Sequence, residues 1–116
     1  MAVKKFEELM VWQKSQDLSV AIYKHFNDSK DFSFRDQIKR ASVSISNNIA
    51  EGFDRNSNAD FTRFLYFSLA SNSEVRSMLY LSIRLNFIEK KEAQLLIEDT
   101  NEISRMLHGL IKSIKN

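Results

Sequence analysis

The chain has 116 residues, 17 of them basic and 15 acidic, with no cysteine, no proline and two glycines. That length suits one domain with a single core (1–116), and the missing cysteines exclude disulfides and thiolate metal sites. Charge that is balanced and interspersed permits nucleic-acid binding without indicating it, and so few breakers favour long helices over a many-turned β protein.

Glu7 and Glu8 directly follow Lys4-Lys5-Phe6, so no signal-peptide apolar region follows the basic residues. The longest uncharged runs, Ala41–Ala50 and Phe64–Ser73, are ten residues each, against roughly 20 for a spanning helix. A cytoplasmic location away from membranes is expected.

Val11, Ser15, Leu18, Ile22 and Phe26 recur at helical spacing and predict a first helix over 7–26. Leu9, Trp12, Val20 and Tyr23 form a second apolar stripe nearly opposite, with Gln13, Asp17 and Lys24 as a narrow solvated sector between them. Lipid, a partner helix or another copy of the chain would each cover such a stripe. A membrane-surface helix carries a basic polar face, whereas this sector is mixed, so lipid is least favoured and self-association is the economical reading. In the plainer reading Trp12 caps the end of a bundle.

Asn27–Lys30 is a turn by composition. Ser33 and Asp36 resemble a capping box that opens a second helix near Ser33, and Gly52 is its expected terminator. Phe34, Ile38, Ala41, Ile45 and Ile49 make its core face, while Val43 and Ala50 lie one heptad apart on the far side. A helix that is apolar on two sides needs two partners. Leu9, Trp12, Val20, Tyr23, Val43 and Ala50 are therefore the candidate oligomer interface.

Gln37, Arg40, Ser44 and Glu51 form a polar stripe on the same helix, with Asn48 at its border. As a functional surface it would recognise RNA or a protein. As a structural one it is a satisfied network, with Arg40 pairing to Glu51 of a neighbour or to Glu74 of the third helix. The network is preferred, because these residues flank the core and buried polar groups must be paired. Arg35 and Lys39, with Ser42 and Ser46, are placed on the outer side of the helix, and Arg55 and Arg63 near the loop that follows. Such a basic strip is ordinarily solvated surface. Repeated around a ring, Arg35, Lys39, Arg55 and Arg63 become candidate nucleic-acid contacts.

Ser57 and Asp60 repeat the capping pattern and open a third helix running to about Leu85. Phe61, Leu65, Ser68, Asn72, Val75, Leu79 and Ser82 form its seam. Phe64, Phe67, Met78 and Leu85 extend the apolar surface on one flank, and Tyr66, Leu69 and Tyr80 on the other, so this helix is expected to be the most buried. Asn86 suits the left-handed position after it. Leu96, Thr100, Ile103, Leu107, Leu110 and Ile114 then mark a fourth helix from about Glu89 to Lys115, with Gly109 facing away from the seam. Short connections between long helices predict an all-α, up-down-up-down antiparallel four-helix bundle that oligomerises.

Signals for catalysis are weak. His25 and His108 are the two histidines, no Glu-x-x-His occurs, and Glu98, Asp99 and Glu102 read as a solvated face. There is no phosphate-cradling glycine loop and no nucleophile elbow. No catalytic residue, metal, cofactor or small-molecule substrate is expected. Small helical ribonucleases of toxin–antitoxin systems carry Arg-x4–6-His, which Arg105-Met106-Leu107-His108 does not fit. A toxin-like, metal-independent ribonuclease component is the alternative function, and a purely structural protein without a client is a third.

The second helix also carries a family resemblance. Gln37, Ile38, Arg40, Ala41, Ser44, Ile45, Asn48, Ile49, Ala50, Glu51 and Gly52 match the signature sQirRAxxSIpsNIAEG of the small proteins encoded in intervening sequences of bacterial large-subunit ribosomal RNA genes. Lys39 stands where that family usually has arginine and Ser46 where it usually has proline. Leu9–Lys14 is similar to the family's opening motif, Glu74–Leu79 to its third-helix motif and Arg105–Leu107 to its closing one. The resemblance implies a four-helix bundle that assembles into a ring, typically a homopentamer, with no established enzymatic activity. The accessory protein of diversity-generating retroelements, which works with a reverse transcriptase and RNA, looks like a more distant relative. The expected function is a non-enzymatic scaffold or adaptor with itself as first partner, and structured RNA or a nucleic-acid-processing protein as candidate clients.

Overall fold

The computed structural model describes residues 3–115. One 3-10 turn, Phe6–Glu8, precedes four helices: α1 (Met10–Phe26), α2 (Phe32–Phe53), α3 (Asn58–Arg84) and α4 (Lys90–Lys115). No strand occurs among the described residues. At ~1.5 Å per residue α3 alone is about 40 Å long, close to the 43 Å long axis of a molecule 21 by 20 Å across.

α1 starts later than its periodicity predicts. Leu9 has extended backbone (φ −73°, ψ 123°) between the turn and the helix, and this bend takes its side chain out of the helical phase and into the core, where it is 6% exposed. Trp12, the next member of the expected outer stripe, is half-buried and packs against Phe6, with ring centroids 5.4 Å apart.

α2 is capped by Asp31 and not by Ser33: the Phe34 N–H donates to Asp31 Oδ1 at 3.0 Å. Its end falls where Gly52 predicts, but for another reason. Gly52 has no positive φ; a Cβ there would lie 2.6 Å from Phe64 Cβ and 3.2 Å from the Phe61 ring, so the glycine lets the start of α3 press against the end of α2. The expected Ser57 cap forms, accepting from the Asp60 N–H at 3.1 Å.

Asn86 takes the left-handed conformation (φ 59°) after α3. Its N–H donates to the Ile83 carbonyl at 3.1 Å and that of Phe87 to the Ser82 carbonyl at 2.9 Å, the paired bonds of a Schellman motif. On α4, Leu96, Thr100, Ile103 and Leu107 are buried as predicted, but the last turns bury Ile111 and leave Leu110 and Ile114 half-buried. A straight helix of 3.6 residues per turn drifts away from a 3.5-residue repeat.

The core is shared by all four helices. Ile22, Ile38, Ile45, Ile49, Leu65, Val75, Leu79, Ile103 and Leu107 are wholly buried. Phe26 and Phe87 both pack on Phe34, at 5.7 and 5.1 Å between centroids, and Phe53 packs on Phe61 at 5.6 Å. Ser15, Ser42, Ser46, Ser68, Asn72, Ser82 and Thr100 are buried among these apolar groups. Several hydroxyls are satisfied on their own helix, but Ser68 Oγ donates to the Ile45 carbonyl at 2.9 Å, and Asn72 Nδ2 to the Thr100 carbonyl at 2.8 Å. These bonds set the level of α3 against α2 and α4.

α3 has its expected seam, yet its opposite side is not covered within the chain. Tyr66, Phe67, Tyr80, Leu81 and Leu85 are 44% to 55% exposed.

Candidate self-association surface

The outward side of the α1–α2 pair carries two adjoining grooves. The first, about 400 Å³, is lined by Gln16, Ser19, Val20, Tyr23, Val43 and Ser46 among others. The second, about 460 Å³, runs along α2 past Arg40, Ser44, Asn47, Asn48 and Glu51 and shares Tyr23 and Val43 with the first. Val20 is 54% exposed and Tyr23 43% exposed. Val43 and Ala50 are half-buried. Four of the six expected interface residues thus remain at the surface, while Leu9 belongs to the core and Trp12 to the packing around the 3-10 turn.

The walls of the first groove are held in place. Lys39 Nζ lies 4.8 Å from the centroid of the Tyr23 ring and donates to Asn27 Oδ1 at 3.1 Å. Gln16 Nε2 donates to Ser46 Oγ at 3.0 Å, whereas the buried Ser19 Oγ has no hydrogen-bond partner.

The expected polar network is divided. Gln37 Nε2 donates to Glu74 Oε2 at 3.1 Å, and Ser71 Oγ bonds Ser44 Oγ at 3.1 Å, both joining α2 to α3. Asn48 turns back onto its own helix, donating to the Ser44 carbonyl at 2.8 Å, and does not reach across. Arg40 does not pair with Glu74. Gln37, Arg40 and Glu51 are exposed, and neither Arg40 nor Glu51 has a side-chain partner among the described residues.

The basic strip is corrected as well. Ser42 and Ser46 are buried, so the side of α2 that holds Arg35 and Lys39 turns toward α1 and not outward. Arg35 pairs with Asp36 at 3.0 Å and lies over the Phe32 ring. Arg55 and Arg63 gather over Phe64, at 4.7 and 5.1 Å from its centroid. Arg35 lies near the start of α2 and Arg55 beyond its last residue, Phe53, roughly 27 Å along the axis from position 35, so the four cations form two separate sites and no single patch.

Sequence reasoning missed the α1–α4 pairing. Lys14 Nζ contacts Glu102 at 3.2 Å and Asp99 at 3.7 Å, so two acids of this solvated face also tie α4 to α1. Burial of Lys14 lowers its pKa, but the hydrogen bond it donates to Glu102 and the charges of the two nearby carboxylates outweigh this and hold the pKa above the ordinary lysine value. His25 Nδ1 lies 3.3 Å from Glu92, and His108 is exposed. Among the described residues no helix is long and apolar enough to cross a membrane, and no group of three or more His, Cys, Asp or Glu is placed to hold a metal ion.

The outer groove of α2 is built by the segment that carries the intervening-sequence signature, and the model of the 23S rRNA-intervening sequence protein family matches residues 7–109. The chain belongs to that family. Among solved structures, this intervening-sequence protein is similar to a protein of unknown function from the S23 ribosomal protein family of Bacteroides thetaiotaomicron VPI-5482. The two are 34% identical with a TM-score of 0.83, and the match covers 89% of this chain and 99% of that one. No curated protein matches the chain.

Proposed function

We propose that this intervening-sequence protein is a cytoplasmic, non-enzymatic scaffold or adaptor, a single antiparallel up-down-up-down bundle that works as a homo-oligomer. The family resemblance points to a pentameric ring. Contacts such as Gln37–Glu74, Ser44–Ser71 and Lys14–Glu102 support the antiparallel order, since positions rise along one helix as they fall along its neighbour. The observation that carries the self-association reading is the pair of exposed apolar residues Val20 and Tyr23, which with the half-buried Val43 form a ridge between two grooves. Contiguous apolar surface of this kind marks an interaction site.

The clients we propose are structured RNA or a nucleic-acid-processing protein. Arg55, exposed in the α2–α3 loop with its guanidinium over Phe64, favours RNA.

Size exclusion with light scattering tests the reading. The protein should run at several times 13.6 kDa. Val20→Asp and Tyr23→Asp should release monomers of unchanged helicity, because an unpaired charge buried at an interface costs several kcal/mol. A monomeric parent, or variants that stay fully assembled, would remove this surface from the account. Structured RNA titrated into the assembled and monomeric forms then shows whether the assembly is what engages it.

A further inference from the structure

Within the ring that the family resemblance implies, we infer that the α1–α2 grooves are covered by the outer side of α3 from a second copy of the chain, in a head-to-tail contact. The inference rests on the self-association reading above and adds which faces meet and at what level. Its first support is that each copy has two unlike uncovered faces: the grooves, and the α3 side bearing Tyr66, Phe67, Tyr80, Leu81 and Leu85. Unlike faces join heterologously, and a heterologous contact closes a ring when its rotation permits.

Charge supplies the second support. Arg40 and Glu51 stand toward opposite ends of the α2 groove, eleven residues apart, which is about 16 Å along a helix. Arg63 and Glu74 on α3 are also eleven residues apart, exposed, and in the same order of sign along the chain, so that on oppositely directed helices the signs run in reverse in space. Glu74 accepts a hydrogen bond from Gln37; Arg63 has a loose 3.6 Å contact with Asp60 and lies over Phe64 and Phe67.

Level decides how these charges meet. The Ser44–Ser71 hydrogen bond fixes one height on α2 and α3. Counted from it, Arg40 is level with Glu74 to within one residue, and Glu51 with Arg63. Rotation about an axis along the helices carries a copy sideways without raising or lowering it. Arg40 then meets the partner's Glu74 and Glu51 meets the partner's Arg63, with the partner's Phe67 and Ala70 over the segment from Val43 to Asn47. A contact with an added rise, which would build a filament, loses both pairings. Two-fold packing of groove on groove would also pair Arg40 with Glu51 but would leave the α3 face in water.

The chain has no cysteine, so single Asn47→Cys and Ala70→Cys variants, both at exposed positions, can be unfolded, mixed, refolded together and treated with a short bismaleimide. The expected product is a covalent dimer of one chain of each kind, absent when either variant is treated alone. Links within the Asn47→Cys sample alone would establish the two-fold contact and overturn the inference. An oligomer that yields no mixed link also overturns it, while leaving the scaffold reading in place. A parent that is monomeric by light scattering removes both. Charge exchange gives a second measurement: Glu74→Arg should raise the concentration for half-assembly by about tenfold, and adding Arg40→Glu should restore it. Failure to restore it would rule out the charge pairing.

Discussion

The two glycines sit under opposite constraints. A Cβ on Gly52 would collide with Phe64 Cβ, whereas a Cβ on Gly109 would meet nothing within 4 Å. Gly52→Ala should therefore destabilise the protein by about 1–3 kcal/mol, the usual cost of overfilling a packed site. Gly109→Ala should stabilise it by about 1 kcal/mol through helix propensity. Denaturant titration of both variants, read at equal protein concentration, checks the contrast; equal shifts would refute the packing argument at Gly52. The sequence made the helix end near Gly52 legible, because glycine is a common stop. It could not distinguish a conformational stop from a close approach, since Phe61 and Phe64 come near only after the chain has turned back. Leu9 is a similar case. Its spacing from Trp12, Val20 and Tyr23 is helical, but one extended residue breaks the phase and sends it inward.

For the helices, periodicity was a dependable guide wherever one face is wholly buried, as in the seam from Phe61 to Ser82. Starts were less legible. Asp31 and Ser33 are two residues apart and both are good caps, and local chemistry does not choose between them. The choice follows from Phe34, which must reach Phe26 and Phe87 in the core. Asp31→Ala should cost about 1 kcal/mol and Ser33→Ala much less, which thermal denaturation would separate; the reverse ranking would refute the Asp31 cap. The α1–α2 grooves were legible only in part. Val20, Tyr23 and Val43 stood out as apolar residues where a surface helix carries charge. Arg35 and Lys39 misled, because serines such as Ser42 and Ser46 read as solvated yet pack against α1. The apolar circumference of α3 was read correctly, but one chain covers only part of it.

Across the whole molecule, the helix pairs are not joined by the same kind of contact. α2 is tied to α3 by the buried Ser68–Ile45 bond and by the glycine contact at Gly52, and α3 to α4 by Asn72. Between α1 and α4 the polar ties are ion pairs in which Lys14 is 29% exposed, and Asp99 and Glu102 43% and 48%. Exposed pairs of this kind contribute about 0.2–1 kcal/mol and weaken in salt. The α1–α4 side is thus where the molecule should first come apart, in a partial opening that leaves α2 and α3 together. Amide hydrogen exchange in 0.5 M salt, roughly the regime where screening acts within ~4 Å, should quicken in α1 before α2 or α3. Because the Lys14 pKa is raised, its share of the stability is complete at neutral pH. It is lost only as pH climbs from the ordinary lysine value of about 10.4 through the raised one. Uniform acceleration across all four helices would contradict this order. In the oligomer we propose, a first helix that loosens before the rest would be exchangeable between neighbouring copies, a route to remodel subunits while each keeps its folded centre.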